Sequence, residues 1–239
     1  MFTLFSTALA EETAAAEAQP SWFQTAFKKL TELPPALWGV LAALVLVGIV
    51  LLVMGRSKTK WTAQVLANAA LCIALSFVLS CIRLYKMPQG GSITLASMLP
   101  IFLFAYAYGA APGLFVGLAY GFLQWMQDGF YMLTPVEGVL DYLVAFAVLG
   151  LCGLARGFGR VPAKYRLAVG CVIGAVARAV VAIVSGYIFF GSYAPEGQAP
   201  IVYAMVYNGL YLIPDTAICL IIGIPAGERL LKLMKGRQR

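Results

Sequence analysis

Two carboxylates, Glu137 and Asp141, stand four residues apart at the start of a long apolar segment. On a helix that spacing puts both on one face. Tyr142 follows directly, and Tyr131 lies shortly before. Further along, Phe189-Phe190-Gly191-Ser192-Tyr193-Ala194-Pro195-Glu196-Gly197 leads into a segment that opens with Tyr203, Tyr207 and Asn208. Carboxylates offset positive charge and accept hydrogen bonds from ring amino groups. Aromatic faces stack on heterocycles and attract cations by about 0.5–2 kcal/mol each. Such a set suits a small, flat, cationic ligand. The same two acids could instead serve as the acid/base pair of a small membrane enzyme, or have no ligand at all in a structural assembly protein.

Each of these residues also has a structural reading. Thr134-Pro135-Val136-Glu137 is a capping box with proline at the first helical position, so Glu137 can close the helix start. Tyrosines near helix ends anchor at the membrane interface. Asp141 can pair with Arg178, although Asp215, after Pro214, competes for that arginine, and Arg178 and Asp215 are read as structural. An ionisable group within a span costs about 2.5–3.5 kcal/mol on insertion scales, so Asp141 points to function by default.

Other chemistries lack their residues. No G-x-x-x-x-G-K-[ST] occurs, so no P-loop cradles a nucleotide. G-x-S-x-G and H-E-x-x-H are absent too. The chain has no histidine, which removes imidazole metal sites and proton relays. Cys72, Cys81, Cys152, Cys171 and Cys219 lie in apolar runs without C-x-x-C, which suits buried packing rather than disulfides or zinc. No metal and no cofactor are expected.

The elements that must position the acids are membrane spans. Of 239 residues, 62% are hydrophobic and 11% charged, against roughly 45–50% and about 25% in soluble domains. At about 20 residues per crossing, the apolar runs place spans at 36–55, 62–84, 93–110, 113–127, 137–157, 167–191 and 201–231, with a break at Pro112 and a polar loop over 85–91. The expected architecture is an all-α integral membrane protein. Residues 1–35 form an external segment, 36–55 an extra N-terminal transmembrane helix, and 56–239 a six-helix domain.

The formal charge of +7 follows that topology. Arg56, Lys58, Lys60, Arg156, Arg160, Lys164, Arg166, Arg229, Lys232, Lys235, Arg237 and Arg239 fall on one side, twelve of the 17 basic residues. That side is cytoplasmic by the positive-inside rule, with the N-terminus outside and the C-terminus inside. The basic excess is topological and implies no nucleic acid. The lipid bilayer is the implied surrounding. Small residues recur at spacing four: Ala70 and Ala74; Gly113, Gly117 and Gly121; Gly170 and Gly174. Such rows allow close helix approach, within the bundle or against another membrane subunit.

Several stretches resemble one family. They are Met87-Pro88-Gln89-Gly90-Gly91-Ser92, Met98-Leu99-Pro100-Ile101, Pro135-Val136-Glu137 with Leu140-Asp141-Tyr142-Leu143-Val144-Ala145-Phe146, and Ser185-Gly186-Tyr187-Ile188 running on through Glu196-Gly197 to Tyr203 and Tyr207-Asn208. In order and spacing they are similar to the thiamine-specific substrate-binding (S) subunits of energy-coupling factor transporters. The resemblance runs from about Trp61 to the end and leaves the 36–55 helix outside.

It implies a six-helix S subunit that captures thiamine from outside in the plasma membrane of a bacterium, without catalysis. It implies two kinds of partner, a transmembrane coupling protein and two cytoplasmic ATPases. Carried over position by position, Asp141 contacts the cationic ligand with Tyr142 beside it. Glu137, Tyr131, Gly186, Phe190, Tyr203 and Asn208 complete the site, and Ala70 and Ala74 form the face that docks the coupling protein. Three positions depart from the pattern. Ala182 stands where relatives often carry histidine, Glu137 where they carry glutamine, and Gly91 where some have tryptophan. Those changes leave a related cationic pyrimidine, or another vitamin, as the alternative ligand.

Overall fold

A computed structural model describes residues 60–130 and 133–236. The expected external segment, the 36–55 helix and Tyr131 lie outside the described residues. Among the described residues the main helices follow in order: α1 (Ala63–Cys81), α2 (Leu99–Tyr108), α3 (Ala110–Gln127), α4 (Val136–Gly157), α5 (Ala163–Phe189) and α6 (Pro200–Gly236). Four of them, α1, α4, α5 and α6, are long and apolar enough to cross a membrane. The chain is an all-α membrane protein.

Residues 83–94 differ from the expected loop and span. Between α1 and α2 the chain forms an antiparallel hairpin of β1 (Arg83–Lys86) and β2 (Ser92–Thr94), with Arg83 opposite Thr94 and Lys86 opposite Ser92. Thr94 donates to Asp215 of α6 from both its backbone N–H (2.8 Å) and its hydroxyl (2.9 Å). These buried bonds hold residues 92–94 extended, so α2 starts at Leu99 and not at 93.

The break between α2 and α3 falls at Gly109, not Pro112. Gly109 has φ +108°, a conformation that favours glycine. Pro112 sits in the first turn of α3, where its missing N–H leaves nothing unpaired.

The glycine rows of α3 and α5 serve packing inside the bundle. A Cβ on Gly117 would lie 2.3 Å from the Phe146 carbonyl oxygen, and one on Gly121 2.3 Å from that of Tyr142. Gly174 similarly faces the Phe102 ring and the Leu149 backbone. By contrast, Ala70 and Ala74 are exposed on α1, beside the exposed Leu66, Leu71, Leu75 and Val78. That helix turns its polar Asn68, Ser76 and Ser80 inward. Lipid rewards no hydrophobic burial, so large apolar side chains remain outside and small or polar ones mediate contact.

Helix α4 is irregular. After the turn Pro135–Gly138 it widens to π geometry over Val139–Val144, returns briefly to α, and tightens to 3-10 over Val148–Gly157. Gly150 and Gly153 allow the tight stretch to touch the α3 backbone, since a Cβ there would meet Leu114 N at 2.2 Å and Ala110 N at 2.4 Å. Of the cysteines, four are buried as expected, but Cys81 is exposed at the end of α1.

Candidate functional site

The wide π turns of α4 carry Asp141 and Tyr142. Such turns appear frequently at functional sites. One helical turn earlier, Glu137 is buried and works as the capping box expects. Its carboxylate accepts from the Leu133 N–H (2.8 Å), and its own N–H donates to the Thr134 hydroxyl (3.2 Å). Asp141 is half-buried beside Glu137 and the hydroxyl of Ser185 on α5. That hydroxyl is buried and makes no hydrogen bond among the described residues.

These groups form one wall of a cavity of about 540 Å³ at one end of the bundle. Its walls come from the β1–β2 hairpin, the last turn of α3, the first half of α4, the last half of α5 and the first turns of α6. The sequence-selected residues Glu137, Asp141, Tyr142, Gly186, Phe190, Tyr203 and Asn208 all line it. Sites for small molecules commonly enclose roughly 300–1,000 Å³ and combine apolar surface with a few polar groups.

The expected pairing of Arg178 with an acid does not form. Among the described residues the ion pair is Arg83–Asp128 at 2.7 Å. Arg178 instead lies 4.0 Å from the centre of the Phe146 ring and donates to the Met98 sulfur at 2.9 Å. It also lines the cavity, so the purely structural reading of this arginine is revised. Asp215 is buried and held by Thr94, which makes it an anchor for the hairpin.

Asn208 is already engaged. Its amide nitrogen donates to Ala182 O (3.2 Å) and Ala204 O (2.9 Å), and its oxygen accepts from the Tyr211 hydroxyl at 2.8 Å. It thereby ties α6 to α5 where Gly186 allows close approach; a Cβ on Gly186 would sit 3.1 Å from the Asn208 amide. Tyr142 stacks on Trp125, with centroids 6.1 Å apart and planes 13° from parallel, and its hydroxyl donates to Asp128 at 3.2 Å.

Sequence reasoning did not select Arg83, Asp128, Gln124, Gln127 or Gln89, all of which line the cavity. Only Gln89 carried a signal, its place in the Pro88-Gln89-Gly90-Gly91 stretch. Gly91, where some relatives carry tryptophan, has φ +83°, and a Cβ there would lie 2.8 Å from the Tyr211 ring. This backbone does not accept a larger residue without moving. Among the described residues no cluster of His, Cys, Asp and Glu could hold a metal ion.

A helical membrane bundle with a ligand-sized cavity at one end, walled by acids and aromatic rings, defines a class of polytopic small-molecule carrier. The comparisons with known proteins give that class its family. The model of the thiamine transporter protein family matches residues 66–235. The thiamine transporter ThiT of Bacillus subtilis (strain 168) is 38% identical over 145 residues, 57% of this chain and 75% of that protein. ThiT of Lacticaseibacillus paracasei is 29% identical over 136 residues, 52% of this chain and 68% of that protein. A solved structure of ThiT from Listeria monocytogenes is similar with a TM-score of 0.63 and 26% identity, covering 71% of this chain and 96% of that one. The chain belongs to the thiamine transporter protein family. It is a transport protein and not an enzyme, which sets the acid/base alternative aside.

Proposed function

We propose that this chain is the thiamine-binding S subunit of an energy-coupling factor-type uptake transporter. It captures thiamine from outside a bacterial plasma membrane, with the N-terminus outside and the C-terminus in the cytoplasm. The thiazolium ring lies near Asp141. Tyr142, Phe190 and Tyr203 supply flat faces for the rings, with Tyr131 and Glu137 nearby, while Gly186 and Asn208 shape the wall between α5 and α6. A transmembrane coupling protein docks on Ala70 and Ala74, two cytoplasmic ATPases supply the energy, and reorientation releases thiamine inside.

The observation that carries this reading is the placement of Asp141. It is a half-buried acid without an ion-pair partner among the described residues, on the wall of a cavity that also contains the aromatic residues. The names of the relatives add support for thiamine. Exposure of Ala70 and Ala74 supports the docking face.

Calorimetric titration of the detergent-solubilised protein with thiamine, beside Asp141→Ala, tests it. The parent binds tightly, and the variant loses at least about tenfold, the scale of one charge-assisted contact of roughly 1.5–3 kcal/mol. Equal affinity in both refutes the role of Asp141. A parent that ignores thiamine but binds another cationic pyrimidine moves the assignment to a related vitamin.

A further inference from the structure

The first turns of α4 put two acids side by side on the cavity wall. The carboxyl groups of Glu137 and Asp141 lie within hydrogen-bonding reach of each other, and both residues line the cavity. An ionised carboxylate only accepts hydrogen bonds, so two of them in contact need a proton between them. Glu137 is buried and Asp141 half-buried, so water does little to screen one charge from the other.

Among the described residues no neighbouring element supplies a compensating cation. On α5, Arg178 is engaged by the Phe146 ring and the Met98 sulfur and forms no ion pair with either acid. On the hairpin, Arg83 is paired with Asp128 at the end of α3, and Lys86 is exposed. Tyr142, next to Asp141, donates to that same Asp128. From α6 come Tyr203, Tyr207, Tyr211 and Asp215, none of them cationic, and Asp215 is held by Thr94.

The hydrogen bonds in place show where a shared proton rests. Glu137 accepts from the Leu133 N–H at 2.8 Å, a bond that a charged oxygen accepts best. The proton therefore belongs to Asp141, which donates it to Glu137. On the other side of Asp141 stands the Ser185 hydroxyl, buried and without a hydrogen bond among the described residues. It is an idle donor, placed to serve Asp141 once that acid is ionised.

We infer that Glu137 and Asp141 share one proton in the empty cavity and that a cationic ligand displaces it, so that binding exchanges a proton for the cation. The inference rests on the reading that this cavity holds thiamine. As the ligand enters, the Asp141 O–H bond breaks, its electron pair stays on the carboxylate and the proton passes to water. The fixed positive charge of the ligand takes the place of the proton, and the net charge of the cavity is unchanged. The Ser185 hydroxyl then donates to the freed carboxylate oxygen.

Calorimetric titration of the whole solubilised chain with thiamine, at one pH in two buffers of different ionisation enthalpy, counts the protons. The pH is kept above the acidic range in which the aminopyrimidine itself protonates. Near neutral pH the parent is expected to release about one proton per thiamine bound, and its affinity to fall about tenfold for each unit by which the pH is lowered. In Glu137→Gln the neighbour of Asp141 is a neutral amide that can donate to it, so Asp141 is ionised with or without ligand. That variant is expected to release almost no proton, with affinity changing by less than about twofold per pH unit. A parent that releases no proton overturns the exchange without any variant. A Glu137→Gln protein that releases as much as the parent draws its proton from elsewhere and overturns the sharing. Infrared spectra supply an independent reading. A protonated-carboxyl band is expected in the ligand-free difference between parent and Glu137→Gln, and it is expected to vanish from the parent when thiamine binds. Should the parent bind no thiamine, the transport reading fails, and the infrared difference alone decides the shared proton: no band there overturns it.

Discussion

Asp141 and Glu137 look alike in sequence but have different work to do in the fold. Glu137 is buried and its carboxylate is committed to the Leu133 N–H at the start of α4. Asp141, one turn on, lines the cavity without an ion pair among the described residues. Removing each should therefore read out differently. Glu137→Ala frees a buried N–H at a helix start, which costs about 0.5–2 kcal/mol, and should lower the thermal midpoint in detergent. Glu137→Gln keeps an oxygen acceptor and should hold that midpoint near the parent, with thiamine affinity changed by less than the tenfold expected for Asp141→Ala. If Glu137→Gln weakens binding as strongly as loss of Asp141, the charge on Glu137 is part of the site and the division of labour is wrong.

Between elements, the decisive contacts are backbone against backbone. Gly117 and Gly121 of α3 touch carbonyl oxygens of α4, and those carbonyls belong to the stretch that carries Tyr142 and Phe146. A methyl group at Gly117 has no room and must push the helices apart. Gly117→Ala is expected to destabilise by about 1–3 kcal/mol, the usual cost of overpacking. Ala74→Val, on the exposed face of α1, should stay within about 0.5 kcal/mol, as surface changes do. Melting curves of both variants in one detergent test the contrast. Much of this level was legible in the sequence: the apolar runs marked six helices, and the Glu137/Asp141 spacing selected the cavity wall. The hairpin was not legible. Residues 92–94 are extended because Asp215, over a hundred residues away, binds Thr94, and no local pattern reports such a bond. The π turns were hidden as well, because an unbroken apolar run reads the same for either helical pitch. The glycine rows showed that helices approach closely, but not which helix they meet. The structure separates them, with Gly113, Gly117 and Gly121 turned inward and Ala70 and Ala74 outward.

The described bundle differs from one end to the other. The cavity is confined to one end, where α4 and α6 begin and α3 and α5 finish. The exposed Arg156 lies in the last turn of α4 and Arg160 just beyond it, with Arg229 and Lys232 in the last turns of α6. At 37 residues α6 is about 55 Å long, well past a hydrocarbon core of about 30 Å. A cavity at that end can hold a ligand there but does not by itself carry it to the other end, so binding and transport should separate experimentally. Reconstituted alone in liposomes, the protein should bind thiamine without accumulating it. Accumulation should appear only with the coupling protein, both ATPases and ATP. The exposed alanines are the place to break that dependence without touching the cavity, because Ala70 and Ala74 line none of it. Two leucines in the paired variant Ala70→Leu/Ala74→Leu would keep the face apolar and compatible with lipid, yet prevent the close helix approach that small residues permit. Thiamine affinity should remain within about twofold of the parent, while ATP-driven uptake falls at least tenfold. Uptake that survives the paired change would place the partner on another face of the bundle. Lost binding would mean instead that α1 shapes the cavity from a distance.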